Sequence, residues 1–393
     1  MNSKSFKPSQ RMQDVQSPII PIVADLIYKN PGTISLGQGV VYYGPPKSAL
    51  ERAKQINNSL DYHLYSAVEG IPELRNAIKE KLRQDNNIGV NEQQGIVVTA
   101  GANMAFVNAI MAIADPGDEI ILLSPYYFNH EMAITMLNCK PIVVSCDENF
   151  QPRLSALASA ITNKTRAIVT VSPNNPSGAV YPEETLRKIN ALCKNQQIYH
   201  ISDEAYEYFT FDKAKHFSPA SISDSSDYTI SLFSLSKAYG FASWRIGYMV
   251  IPEQLHLPIK KVQDTNLICP ARITQEAAIA ALNEGPGYCL SQLEKINVIR
   301  NVLYTALQNI NDICMVPKTS GAFYFLIKLN TGLTGMQLVE LLINNYKVAV
   351  IPGETFGLNE ACYLRVAYGA LDTETSSTGI QRLINGLTNI IRK

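Results

Sequence analysis

Ser234-Leu235-Ser236-Lys237 sets an amine among hydroxyl groups, and an arginine follows eight residues later in Trp244-Arg245-Ile246-Gly247. An amine in such a setting can form an imine, and arginine's planar fork suits phosphate oxygens better than lysine does. Ser202-Asp203-Glu204-Ala205-Tyr206 carries a carboxylate that could pair with a protonated ring nitrogen. Ser172-Pro173-Asn174-Asn175-Pro176-Ser177-Gly178 offers an amide able to donate to a phenolate-like oxygen. Thr99-Ala100-Gly101-Ala102-Asn103 runs from a β-rich stretch through glycine into a helix-forming one, and the free N–H groups and dipole there suit a phosphate. Taken singly, each has a plainer reading. A lysine is usually a solvated surface group, and Asp203 could simply cap the next helix. Asn-Pro and Ser-Gly favour ordinary turns, and a strand–glycine–helix junction is often only a connection.

These groups need a scaffold, and the sequence outlines one from about residue 95. Apolar, β-rich runs at 95–100, 119–124, 167–172, 198–203, 229–234 and 246–251 are separated by helical or turn-rich stretches. The runs are apolar throughout, which predicts strands covered on both faces in a mainly parallel sheet. Phe106, Ala109, Ile110 and Ile113 form a helical stripe after Gly101, and Pro182-Glu183-Glu184 marks another helix start. The reactive groups fall mostly at the C-terminal ends of predicted strands, where open α/β sheets bind ligands. After about residue 290 the pattern changes to a helix over 292–309, strand-like runs at 322–329, 347–351 and 363–367, and a final amphipathic helix. The expected architecture is α/β, with a large domain over 46–290 and a smaller α+β domain over 291–393. The segment 1–45 is expected to join the smaller one.

Composition narrows the function classes. At 393 residues, 46% hydrophobic and 17% charged, the chain suits a two-domain globular protein. Thirty-four basic residues balance 34 acidic ones, which gives no support for a nucleic-acid or anionic-membrane partner. No run approaches the roughly 18 apolar residues a membrane span needs, and the polar stretch from Met1 to Gln16 holds no secretory core. The seven cysteines never form a C-x-x-C pair and the five histidines show no H-x-x-x-H spacing, so neither disulfides nor a metal is expected. The expectation is a cytoplasmic, metal-free protein.

The order and separation of S-P-N-N-P-S-G, S-D-E-A-Y and S-x-x-K-x-x-x-x-x-x-W-R-x-G resemble the aspartate aminotransferase family, the class I/II enzymes of fold type I that use pyridoxal 5′-phosphate (PLP). The resemblance runs from Ile34-Ser35-Leu36-Gly37-Gln38-Gly39 to Tyr363-Leu364-Arg365. It implies transfer of the α-amino group of an L-amino acid to a 2-oxo acid by a ping-pong reaction. Lys237 would hold PLP as a Schiff base and shuttle the proton, Asp203 would pair with the pyridine nitrogen, and Asn175 and Tyr206 would bond the 3′-oxygen. Tyr127 would stack on the ring. Ser234, Arg245, Gly101, Ala102 and Asn103 would surround the phosphate. Arg365 would grip the substrate α-carboxylate, with Asn175 and the Gly39 backbone beside it. Tyr65 would reach the phosphate of a neighbouring subunit, implying a homodimer.

Some positions depart from the family. Asn103 stands where many bacterial aspartate-type relatives carry a lysine, and Gln16 lies where another is expected. A basic group for a second carboxylate is therefore not evident, and Val40-Val41-Tyr42-Tyr43 fits a neutral or aromatic side chain or plain packing equally. The same machinery also serves C–S β-lyases, which is the alternative inside the family. Outside it, Ser234-x-x-Lys237 with Lys318-Thr319-Ser320-Gly321 only loosely matches penicillin-recognising serine enzymes. The G-x-G-x-x-G turn of a nicotinamide dehydrogenase is missing.

Overall fold

The computed structural model describes residues 6–56, 59–91 and 94–392. Its centre is a seven-stranded sheet. From one edge the order is Gln94–Thr99, Gly247–Pro252, Thr229–Ser234, Tyr199–Asp203, Thr165–Val171, Glu119–Ser124 and Lys140–Ser145. Gly247–Pro252 runs antiparallel to both neighbours, and every other pairing is parallel. The parallel strands therefore end together, and the turns after Thr99, Ser124, Val171, Asp203 and Ser234 share one rim.

Burial explains the pattern. The central strands are covered on both faces by helices, so Ile230, Leu232 and Phe233 are all fully enclosed. Phe106, Ala109, Ile110 and Ile113 are buried on the Gly101–Ile113 helix, as their spacing predicts. Each large apolar side chain so enclosed contributes about 1.5–3 kcal/mol. Pro182 precedes the Glu183–Gln196 helix, whose first turn carries Glu183 and Glu184. All six expected strands of this sheet form. The seventh, Lys140–Ser145, was not expected: it is a half-exposed edge strand containing Pro141, and neither feature produces a continuous apolar run.

The C-terminal part forms a second, antiparallel sheet in the order Ile351–Pro352, Cys362–Ala367, Tyr324–Leu329 and Cys314–Met315. Helices Gly335–Tyr346 and Thr373–Ile391 pack together beside it, the latter capped by Asp372 accepting from Thr375 N. The run expected as one strand at 347–351 is two. Val348–Ala349 pairs with Ile34–Ser35, whereas Ile351 pairs with Arg365 in the other sheet. A single apolar run does not report a change of partner at Val350. The long helix spans Gly287–Gln308 and so begins at Gly287, behind Pro286, rather than at 292. The N-terminal helix Ile19–Lys29 also packs on Gly335–Tyr346, and this contact supports our proposed division into 1–45 with 291–393, and 46–290. Among the described residues, no helix is long and apolar enough to cross a membrane, and no cluster of His, Cys, Asp and Glu could hold a metal.

Candidate active site

The shared rim opens into a cavity of about 410 Å³. Ser234 ends its strand, and its Oγ accepts from Ser236 N at 3.1 Å, capping the short helix Leu235–Ala238. That turn carries Lys237 into the cavity, where Nζ donates to the Gly39 carbonyl of the N-terminal segment. Burial, reinforced by the positive charges of Arg365 and Arg245, lowers the Lys237 pKa to about 8 against the opposing pull of Asp203. A sizeable fraction of the amine is therefore neutral near physiological pH.

At one end lies a cradle formed by a helix start and an arginine. Gly101 has φ +79°, and a Cβ there would sit 2.5 Å from Arg245 Nη2. The backbone requires the glycine, and a side chain there would push the Arg245 guanidinium out of place. The helix it opens has no side-chain cap, which leaves its first N–H groups free. Arg245 is held by Ala242 O at 2.9 Å and Ala100 O at 3.4 Å. Gly247 allows the strand to lie under Ala102, since a Cβ there would stand 3.0 Å from Ala102 N and 2.6 Å from Phe233 O.

In the middle, Asp203 Oδ2 lies 3.1 Å from His130 Nε2, and Oδ1 accepts from Ala205 N at 3.1 Å. His130 is buried, stacked on Phe106 at 4.0 Å and edge-on to Tyr127 at 5.2 Å. The Tyr127 hydroxyl accepts from Asn129 Nδ2 at 2.8 Å, and burial raises its pKa so that it stays a phenol. Beside it Tyr206 is likewise held neutral by burial, and its hydroxyl shares a 2.7 Å hydrogen bond with Tyr324. Asn175 Nδ2 donates to Tyr206 at 3.4 Å.

At the far end is Arg365, only 2% exposed. Nη1 donates to Asn175 Oδ1 and Nη2 to Gly37 O, both at 2.8 Å. The guanidinium lies 4.5 Å from the Tyr324 ring centre and 5.1 Å from that of Phe356. Two of its five N–H groups are thus used, and the buried Nε has no partner among the described residues. A fixed guanidinium with donors to spare suits a carboxylate. A cation-walled cradle, a carboxylate and a partly neutral amine in one cavity together fit a phosphorylated pyridine aldehyde.

Of the residues singled out from sequence, Gly39, Ala102, Asn103, Tyr127, Asn175 and Asp203 line this one cavity. Tyr206, Ser234, Lys237, Arg245 and Arg365 complete the group. Gly101 lies directly beneath Arg245. Tyr65 is not among the lining residues and is 81% exposed. Sequence reasoning missed His130, Asn129, Tyr324 and Phe356. A lone histidine in Phe128–Met136 and aromatics within apolar runs read as core, and only the fold turns them toward the site. The one available hint was His130 lying three residues after Tyr127, one helical turn away.

A family model described as aminotransferase class I and II matches residues 31–383. An aromatic aminotransferase of Arabidopsis thaliana is 33% identical over 98% of this chain and 97% of its own length. A probable aspartate/prephenate aminotransferase of Aquifex aeolicus is 36% identical, over 95% and 96%. Among solved structures, a double mutant of Thermus thermophilus aspartate aminotransferase superposes with TM-score 0.88 at 28% identity, covering 97% of this chain and all (100%) of that one. The match spans both sheets and the cavity between them, and the protein belongs to the class I and II aminotransferases, a family of PLP-dependent transaminases.

Proposed function

We propose that the cavity holds pyridoxal 5′-phosphate through Lys237 and that the chain moves the α-amino group of an L-amino acid to a 2-oxo acid. The observation that carries this reading is the convergence of Lys237, Asp203 and Arg365 in one cavity beside the Gly101–Arg245 cradle. When bound, PLP supplies an aldehyde that condenses with amines and a ring that draws electrons from the bond broken at Cα. Arg245, Ser234 and the backbone of Gly101, Ala102 and Asn103 bind the phosphate. Asp203 keeps the ring nitrogen protonated, and His130 prevents that carboxylate from turning away. Asn175 and Tyr206 would donate to the ring hydroxyl oxygen, and Tyr127 would supply an aromatic wall for the ring. Arg365 takes the substrate α-carboxylate through parallel hydrogen bonds, with Asn175 and Gly39 beside it. Lys237 would hold the cofactor through its Nζ and would serve as the base for the substrate Cα proton, a role its lowered pKa supports.

We further propose that the protein works as a cytoplasmic homodimer in which Tyr65 serves the neighbouring subunit. Its 81% exposure beside exposed Leu60 and Leu64 supports a surface buried on association. Purified protein incubated with PLP should show a visible cofactor band. An L-amino acid should convert it to a shorter-wavelength amine form, and a 2-oxo acid should restore it. Absence of any cofactor band would defeat the reading. Release of pyruvate and ammonia without the amine form would establish a β-lyase instead.

A further inference from the structure

We propose that both substrates carry uncharged side chains, so that an L-amino acid with an apolar or aromatic side chain donates and a 2-oxo acid of the same class accepts. The proposal rests on the transaminase reading above and deepens it by counting charge. Three cations line the cavity, Lys237, Arg245 and Arg365, against the single carboxylate of Asp203. None of the three is free for a side chain, because Lys237 reacts, Arg245 faces the phosphate and Arg365 faces the α-carboxylate. Arg365 cannot swing to a second carboxylate, because Asn175 and Gly37 hold its two Nη atoms and Tyr324 lies 4.5 Å from it.

The rest of the described lining carries no charge, with the neutral polar groups of Gln38 and Ser236 beside an apolar stretch. Pro18, Ile20 and Pro21 come from the start of the N-terminal helix, Val40 follows Gly39, and Phe128 packs on Phe356 at 5.9 Å. Asn129 is used by the Tyr127 hydroxyl. A second carboxylate entering here would leave water and meet no cation among the described lining residues beyond the three already committed. Burying a charge without a partner is strongly unfavourable, whereas an aromatic or branched side chain gains from the same wall. In a ping-pong reaction donor and acceptor occupy one cavity in turn, so one wall sorts both.

The test compares kcat/KM of the PLP-loaded enzyme for L-phenylalanine, L-leucine and L-methionine with that for L-aspartate and L-glutamate. It then compares phenylpyruvate with 2-oxoglutarate as acceptor. At least about tenfold preference for the uncharged member is expected in both halves. Independently of turnover, titration of the visible band should give tighter binding of 3-phenylpropionate than of succinate. Ile20→Lys, at the rim of the wall, should shift the aspartate-to-phenylalanine ratio toward aspartate by about tenfold. Preference for the diacids, or succinate binding as tightly as 3-phenylpropionate, would overturn the proposal and mean that a cation reaches the wall from another subunit. An unchanged ratio in the Ile20 variant would overturn it as well, since Ile20 would then not face the side chain. Failure of every amino acid to yield the amine form would instead defeat the transaminase reading.

Discussion

Replacing Arg365 by lysine keeps the positive charge but removes the fork. The structure fixes what is lost. Arg365 spends one N–H on Asn175 and one on Gly37 O, and it keeps three others for a ligand. A lysine of similar reach can offer its ammonium to the substrate or to these anchors, not to all of them. Hydrogen bonds to charged groups contribute about 1.5–3 kcal/mol each, so losing one of two parallel bonds costs about as much. That is a fall of roughly 10- to 160-fold in kcat/KM. Because the α-carboxylate is held in both the ground and transition states, most of the fall should appear as a raised KM. Steady-state assays with an amino acid and its decarboxylated amine separate the effects, since the amine has no carboxylate to lose. The cofactor band should be unchanged, because no cofactor atom is assigned to Arg365. A loss under about threefold for the amino acid, or an equal loss for the amine, would refute this placement of the α-carboxylate.

Further outcomes follow from distances and pKa shifts. With its pKa lowered from the ordinary lysine value to about 8, Lys237 loses its charge as pH rises through about 8; capture of added PLP by the apoprotein should climb across that range, and a midpoint above 10 would contradict the burial argument. Lys237→Ala should abolish turnover while circular dichroism stays native. His130→Phe preserves the stack on Phe106 but removes the donor 3.1 Å from Asp203; loss of one such bond costs about 1–2 kcal/mol, so the first half-reaction measured by stopped flow should slow about tenfold. Gly101→Ala meets both φ +79° and a 2.5 Å contact with Arg245, so PLP affinity should fall by about tenfold or more, read by equilibrium dialysis.

The parts of the site that stood out in the sequence are those fixed by local chain geometry. Asp203 and Ser234 end strands, Gly101 opens a helix, and Lys237 and Arg245 sit on the turns between, so spacing along the chain preserves spacing in space. Arg365 was found through its resemblance to a motif rather than through any local signal. The residues that escaped detection act across long separations. His130 meets Asp203 from the Phe128–Met136 helix, and Tyr324 meets Tyr206 and Arg365 from the second sheet. Each is indistinguishable from core packing until helix and strand, or the two sheets, are placed together. The same limit explains the split at Val350, where one apolar run serves two different partners.

The three cations of the cavity also act on one another. Burial is the largest cause of the lowered Lys237 pKa, but Arg365 and Arg245 add to it, and Asp203 alone opposes them. An anion on either arginine neutralises part of that push, so Lys237 should hold its proton more tightly when the arginines are occupied than when they are bare. The amine is thus most reactive in the empty site and least reactive with a carboxylate or phosphate in place. The apoprotein tests this: labelling of Lys237 by a small amine-reactive reagent, followed by peptide mass spectrometry across pH, should give a midpoint near 8 without anions. Saturating 3-phenylpropionate or inorganic phosphate should move the midpoint upward, toward the ordinary lysine value. In Arg365→Met the carboxylate should no longer shift it. A midpoint indifferent to both anions would mean that burial alone sets the reactivity of Lys237 and that the arginines serve only to bind.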